Sequence, residues 1–345
     1  MVIDTVQQEV SNKPSADRWK VLAGLRFFLA WVVFCVHIDM FGFVDPNSVL
    51  SKILLKSKEF GGVAAVIGFL LISGYSIAHS AMQNPQGFYK RRFIRIYPIY
   101  AASMIFSLVP FLLLGSYIKH PIFLSELPDI VTTIGIFALL QGFLVESTTA
   151  NGVIWTLSLE IFFYLLAPFL VKTKTSIIVA LIAISSIAFA AYPYLRLEFY
   201  FFMKYGLATI FLGWAWLAGF LYYRIEQSSF TQPLLIILGS TLLSLNPTYG
   251  NRLSILTYVL SSLVLIHSGN IQLPKKILNI FNYLGNLSYP LYLLHMPCLI
   301  IGYHIFNFRN PFLLIFTTLI TSALFLHLID YPVRLQSRKS TKHSC

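Results

Sequence analysis

The sequence predicts an all-α fold, a polytopic transmembrane helical bundle. Of the 345 residues, 57% are hydrophobic and only 11% charged. Apolar stretches recur from residue 20 almost to the C-terminus, each long enough to cross a bilayer or nearly so. The basic residues collect in the short segments between those stretches. A net charge of +12 would suggest nucleic acid in a soluble chain, but here it sets orientation across a membrane, so no nucleic-acid partner is expected. Cysteines number three, with Cys35 and Cys298 inside apolar stretches and Cys345 at the last position, a spacing that supports neither a disulfide framework nor a metal site. Residues 1–18 are polar and lack the features of a signal peptide, so the first apolar stretch is expected to stay in the mature protein.

Apolar runs bounded by charge, Pro or Gly place candidate helices near 20–40, 61–82, 97–117, 129–145, 153–171, 176–192, 205–223, 232–247, 253–270, 285–306 and 311–331. Both ends of the chain are basic (Lys13, Arg18 and Lys20; Arg334, Arg338, Lys339 and Lys342). Both should therefore be cytoplasmic, and the number of crossings even. The candidate at 129–145 is short, begins at Pro128-Asp129 and runs into the polar stretch 146–152, so it is expected to be re-entrant or interfacial. Ten crossings remain, with sixteen Lys and Arg on the inner side against eight outside. The chain divides into a cytoplasmic tail (1–18), one membrane domain (19–334) and a basic tail (335–345).

In the first helix Arg26 and His37 stand eleven residues apart. Eleven steps return a helix to within roughly 20° of its starting direction, so the two share a face about 16 Å apart along the axis. A charged side chain inside a span costs at least ~2.5 kcal/mol and is aimed at protein or a wet cavity. The bland alternative is a snorkelling Arg and a packing His. Before the third span, Phe88-Tyr89-Lys90-Arg91-Arg92-Phe93-Ile94-Arg95 sets Arg92 and Arg95 on one helical face, two guanidinium forks that suit a phosphate. A basic anchor touching lipid head groups explains the same residues.

Next comes Asn151-Gly152-Val153-Ile154-Trp155-Thr156-Leu157-Ser158-Leu159-Glu160. Glu160 enters the membrane without an adjacent cation and needs a partner from another helix; His37 lies at a similar depth, so the two are expected to be able to meet. Finally, Leu284-Gly285-Asn286-Leu287-Ser288-Tyr289-Pro290 opens a helix with polar, helix-bending residues and places His295 about mid-span, where a lone His more often packs or binds water than catalyses. His79, His120, His267, His304 and His327 have no motif around them.

These stretches, in this order, resemble the acyltransferase 3 family of bacterial membrane O-acyltransferases. The matching features are Gly24-Leu25-Arg26 with His37, Gly61-Gly62-Val63 to Ser73-Gly74, Arg92 and Arg95 before Pro98, Trp155 to Glu160 with Tyr164 and Pro168, and Ser288-Tyr289 to His295-Met296-Pro297. One departure is Asp330-Tyr331-Pro332, where the family usually carries Glu. The resemblance implies transfer of an acyl group, commonly acetyl, from cytosolic acyl-CoA to a hydroxyl of an extracytoplasmic glycan or lipid-linked sugar, in a bacterial cytoplasmic membrane with both termini inside. It implies the stand-alone type, without an appended SGNH domain, in contact with membrane lipids and with no metal. It casts His37, Glu160 and Arg26 as catalytic, Arg92, Arg95 and Arg26 as holding acetyl-CoA, and Trp155, Ser158, Tyr289 and His295 as binding the acceptor. An acyl-enzyme route through His37 or Ser73 stays open. The rival functions are a secondary transporter of an anionic metabolite and a non-catalytic assembly or sensor protein.

Overall fold

A computed structural model describes residues 16–41, 49–120, 124–225 and 230–342, with the side chains of 149 and 337–342 excepted. Lys13 and Cys345 lie outside the described residues, as do most of the N-terminal tail and the side chains of Arg338, Lys339 and Lys342. The chain opens with α1 (Ala16–Asp39), a short α2 (Val49–Lys58), α3 (Gly62–Gln83) and α4 (Phe88–Leu114). A small antiparallel hairpin, β1 (Tyr117–Lys119) and β2 (Leu124–Glu126), precedes α5 (Ile130–Phe137). A 3₁₀ turn (Thr149–Ile154) leads into α6 (Trp155–Lys172), followed by α7 (Thr175–Ala191), α8 (Leu207–Ile225), α9 (Thr231–Leu245) and α10 (Arg252–His267). The long α11 (Lys275–His304) and α12 (Pro311–Phe325) complete the bundle, and a π turn (Leu326–Asp330) joins α12 to α13 (Tyr331–Lys342).

Among the described residues seven helical segments are long and apolar enough to cross a membrane, against the ten crossings expected. The shortfall lies in α8, α9 and α10. Helix α8 carries Arg224 with Tyr222, Tyr223 and two tryptophans, while α9 and α10 run 15 and 16 residues. At 1.5 Å per residue those two are roughly 22–24 Å long, below the ~30 Å hydrocarbon thickness. The 129–145 segment contains an eight-residue helix, too short to cross, and the chain then reverses through Leu139 at φ 61° and Gly142 at φ 76°. Asp129 caps that helix by accepting from the Thr132 amide at 2.6 Å, and this bond holds its carboxyl below the usual carboxylate range. Helices α4 and α11 begin about ten residues earlier than expected. Arg92 and Arg95 therefore sit near the start of α4, and Asn282, Gly285 and Asn286 in the third and fourth turns of α11.

Two helix pairs pack most closely, α1 with α11 and α3 with α8. In the second pair the backbones nearly touch. A Cβ added at Gly74 would run into the Trp216 carbonyl, and one at Gly219 into that of Leu71. Close approach at small residues is how membrane helices gain packing without a hydrophobic driving force. Gly74→Leu is therefore expected to destabilise the bundle by more than the 1–3 kcal/mol typical of overpacking, because backbone cannot yield as a side chain does. Gly62→Ala, whose nearest neighbour would be Val36 at 3.5 Å, should be silent. Size-exclusion yield and thermal melting of the two variants in detergent check this contrast.

Asn151 explains the break before α6. It is fully buried, departs from helical geometry (φ −143°, ψ 66°), and its amide donates to Ser107 Oγ on α4 (3.0 Å) and to the Leu293 carbonyl on α11 (2.9 Å). One side chain thus pins three helices beside the site.

Candidate active site

Helices α1, α3, α4, α6 and α11 enclose a cavity of about 460 Å³, into which α13 also sends Arg334. Four guanidinium groups line it, Arg26, Arg92, Arg95 and Arg334. Arg26 donates from Nη2 to Ser76 Oγ at 3.0 Å, and Arg92 lies 5.7 Å over the Phe88 ring. Arg334 was read from sequence only as a topological charge. The structure holds it by Asp330 (Nε to Oδ1 2.8 Å, Nη2 to Oδ2 2.5 Å) and by Asn286 Oδ1 at 2.9 Å. The available signal was Asp330 itself, one helical turn before Arg334 in an otherwise basic tail.

Glu160 lines the same cavity. Its Oε1 accepts from Ser73 Oγ and from the Tyr164 hydroxyl, each at 2.6 Å, and no Lys or Arg among the described residues forms an ion pair with it. The expected meeting with His37 is not made. A carboxylate bound by two hydroxyls keeps part of its hydration without a cation, and His37 finds its partner on a different helix.

That partner is His295. Its Nε2 lies 3.1 Å from His37 Nδ1, with ring centroids 5.0 Å apart. His37 Nδ1 is also 2.8 Å from the Val33 carbonyl, and His295 Nδ1 is 3.1 Å from that of Leu291. His295 has no exposed surface, whereas His37 is partly exposed. Neither ring lines the cavity. The cavity ends at Tyr292, whose hydroxyl shares a hydrogen bond with Thr156 Oγ1 at 2.8 Å and whose ring meets Phe69 at 5.7 Å. His295 stands three residues further along α11, a rise of about 4.5 Å.

The residues expected to bind an acceptor divide. Tyr289 faces the cavity and donates to the Ile96 carbonyl at 3.1 Å. Trp155 and Ser158 do not line it. Trp155 packs on Tyr200 at 5.9 Å, and Ser158 Oγ donates to the Gln141 carbonyl at 2.5 Å. Gln141 in turn donates to the Ile154 carbonyl at 3.0 Å. Ser158 and Gln141 thereby fasten the re-entrant segment to α6. His79, passed over in the sequence, stands at the cavity wall against Trp19 (4.9 Å) and the Tyr223 hydroxyl (3.0 Å). Toward the His37 end, His120 packs on Phe41 at 4.7 Å; burial, followed by the charges of His304 and Arg309, pushes its pKa down.

A family model described as an acyltransferase domain matches residues 19–329. Acyltransferase MdmB of Streptomyces mycarofaciens is 33% identical over 166 residues, covering 45% of this chain and 40% of that relative's length. No solved structure matches.

Proposed function

The chain belongs to the acyltransferase 3 family of membrane proteins, and from that premise we propose that it moves an acyl group, acetyl in the simplest case, from acyl-CoA in the arginine-lined cavity to a hydroxyl of a glycan or lipid-linked sugar. The observation that carries this reading is the alignment of one polar cavity, four guanidinium groups at its wall, with a histidine pair just beyond its end. Coenzyme A carries several phosphate charges, and planar guanidinium forks match phosphate oxygens two at a time. The cavity is lined by residues from the ends of α1, α3, α4 and α11 near the basic segments 84–95 and 275–282, the side that the positive-inside rule assigns to the cytoplasm of a bacterial inner membrane.

The chemistry follows from a neutral imidazole. His37 takes the proton from the acceptor hydroxyl as its oxygen attacks the thioester carbonyl carbon. The carbon–sulfur bond then breaks with its electron pair on sulfur, and the thiolate recovers that proton from the imidazolium. The products are the sugar ester and free coenzyme A, and His37 returns to its starting state. Arg26, bonded to Ser76 at the cavity wall, adds positive charge along the path of the donor between the arginines at the cavity mouth and the reacting end. The acceptor suited to this arrangement is a surface polysaccharide such as lipopolysaccharide O-antigen.

Ser73 offers a covalent alternative, since its hydroxyl already donates to the Glu160 carboxylate. Direct transfer predicts that Ser73→Ala loses no more than roughly 10–100-fold in activity, the range expected when one hydrogen bond to a carboxylate is removed. It also predicts that acid-quenched protein carries no label from acetyl-CoA. A labelled protein that disappears in Ser73→Ala would establish the acyl-enzyme route. The enzymatic reading as a whole is tested by label transfer from radioactive acetyl-CoA to envelope glycans, with His37→Ala as the control.

A further inference from the structure

The hydrogen bonds beyond the cavity floor carry information about where the protons sit. A backbone carbonyl can only accept, so His295 Nδ1, 3.1 Å from the Leu291 carbonyl, carries a hydrogen. In the neutral ring its Nε2 then holds a lone pair. That nitrogen faces His37 Nδ1 at 3.1 Å, so the His37 nitrogen is the donor. The Val33 carbonyl, 2.8 Å from the same nitrogen, demands the same assignment independently. Two acceptors agree, and the lone pair of His37 is left on Nε2, for which no hydrogen bond is formed among the described residues.

We propose that His295 is a positioning residue for acyl transfer, which holds His37 in the Nδ1–H tautomer and keeps its Nε2 as the basic atom. This rests on the reading of His37 as general base. In nucleophile–base–orienter triads a carboxylate usually fills the third place; here a second, neutral imidazole fills it, itself oriented by a helix carbonyl. The arrangement strengthens as the reaction proceeds. When His37 takes the acceptor's proton on Nε2, its Nδ1–H becomes a cationic donor, and the bond to His295 becomes charge-assisted. An interaction stronger in the transition state than in the ground state acts on kcat and leaves KM nearly untouched.

The bland reading of His295 is a buried side chain filling space. The two readings diverge on a pair of variants. In His295→Gln the carboxamide oxygen reaches about where Nε2 stands and accepts from His37; in His295→Leu the volume is kept and the acceptor lost. Positioning predicts that His295→Gln keeps kcat within about tenfold, whereas His295→Leu loses roughly 10–100-fold with an unchanged KM for acetyl-CoA. The loss stops short of that in His37→Ala because the Val33 carbonyl still holds the Nδ1 hydrogen in part of the molecules. Space-filling predicts the opposite order, because Leu removes a polar group from a fully buried site. Nitrogen NMR of histidine-labelled protein in lipid bilayers, assigned by comparison with His37→Ala, supplies a readout independent of turnover. The expected result is His37 protonated on Nδ1 in wild type and a tautomer mixture in His295→Leu. A His37 protonated on Nε2 in wild type, or a His295→Leu variant with wild-type kcat, would overturn the proposal. Transfer surviving in His37→Ala would instead remove the general-base reading, and the tautomer spectrum distinguishes that failure from this one.

Discussion

Membranes holding His37→Ala transfer no measurable acyl group to envelope glycans, while the variant accumulates to the level of wild type. The expected loss in kcat is about 10²–10⁴-fold, the range supplied by a positioned general base. The packing cost should be small, because His37 is partly exposed and, among the described residues, its side chain bonds only to the neighbouring turn and to His295. A structural histidine would show the reverse, reduced abundance with normal activity per molecule. The assay incubates matched amounts of each membrane with radiolabelled acetyl-CoA and counts label in the glycan fraction. Equal transfer by both proteins would take His37 out of the chemistry. Uptake of an anionic metabolite, with no transfer by either, would favour the transporter reading.

How much of this site was legible in the sequence depends on how far each contact reaches along the chain. The 3.6-residue period places Arg26 and His37 along α1, and Arg92 beside Arg95 on α4, because those relations are local. The His37–His295 contact joins residues 258 positions apart, and no period carries it. Glu160 needed a partner: the Tyr164 hydroxyl one turn along α6 is a local contact, whereas the Ser73 hydroxyl, in place of a histidine, depended on the packing of α3 against α6, which is equally non-local. Ser158 misled for a different reason. A serine near a buried carboxylate looks available for ligand, yet a helical serine can bond backbone nearby, and here it bonds the returning chain at Gln141. The missed α2 is a ten-residue amphipathic helix carrying Lys52, Lys56 and Lys58. Length and charge remove it from any search for spans, although its buried Leu54 and the Lys58–Asp39 ion pair (2.7 Å) dock it on α1.

The second large effect is expected in the double variant Arg92→Gln, Arg95→Gln. A hydrogen bond to a charged group contributes about 1.5–3 kcal/mol, so each guanidinium lost from a phosphate corresponds to roughly a 10–100-fold weaker donor. The KM for acetyl-CoA should rise by at least about 100-fold, and kcat should change little, because the phosphates lie far from the breaking thioester bond. Glutamine keeps the stem and polarity of each position and removes the charge, which separates phosphate binding from packing of the α4 terminus. The decisive comparison uses S-acetyl-pantetheine, which carries the same thioester without the nucleotide phosphates. Wild type and the double variant should use it equally poorly. If the two arginines serve only as a membrane anchor at lipid head groups, KM for acetyl-CoA stays unchanged and the variant shows altered insertion or yield. Arg334 sharpens the argument, since Asp330 and Asn286 hold it at the same cavity wall. Its guanidinium remains in the double variant, so residual saturation by acetyl-CoA at high concentration should persist and weaken further as salt rises.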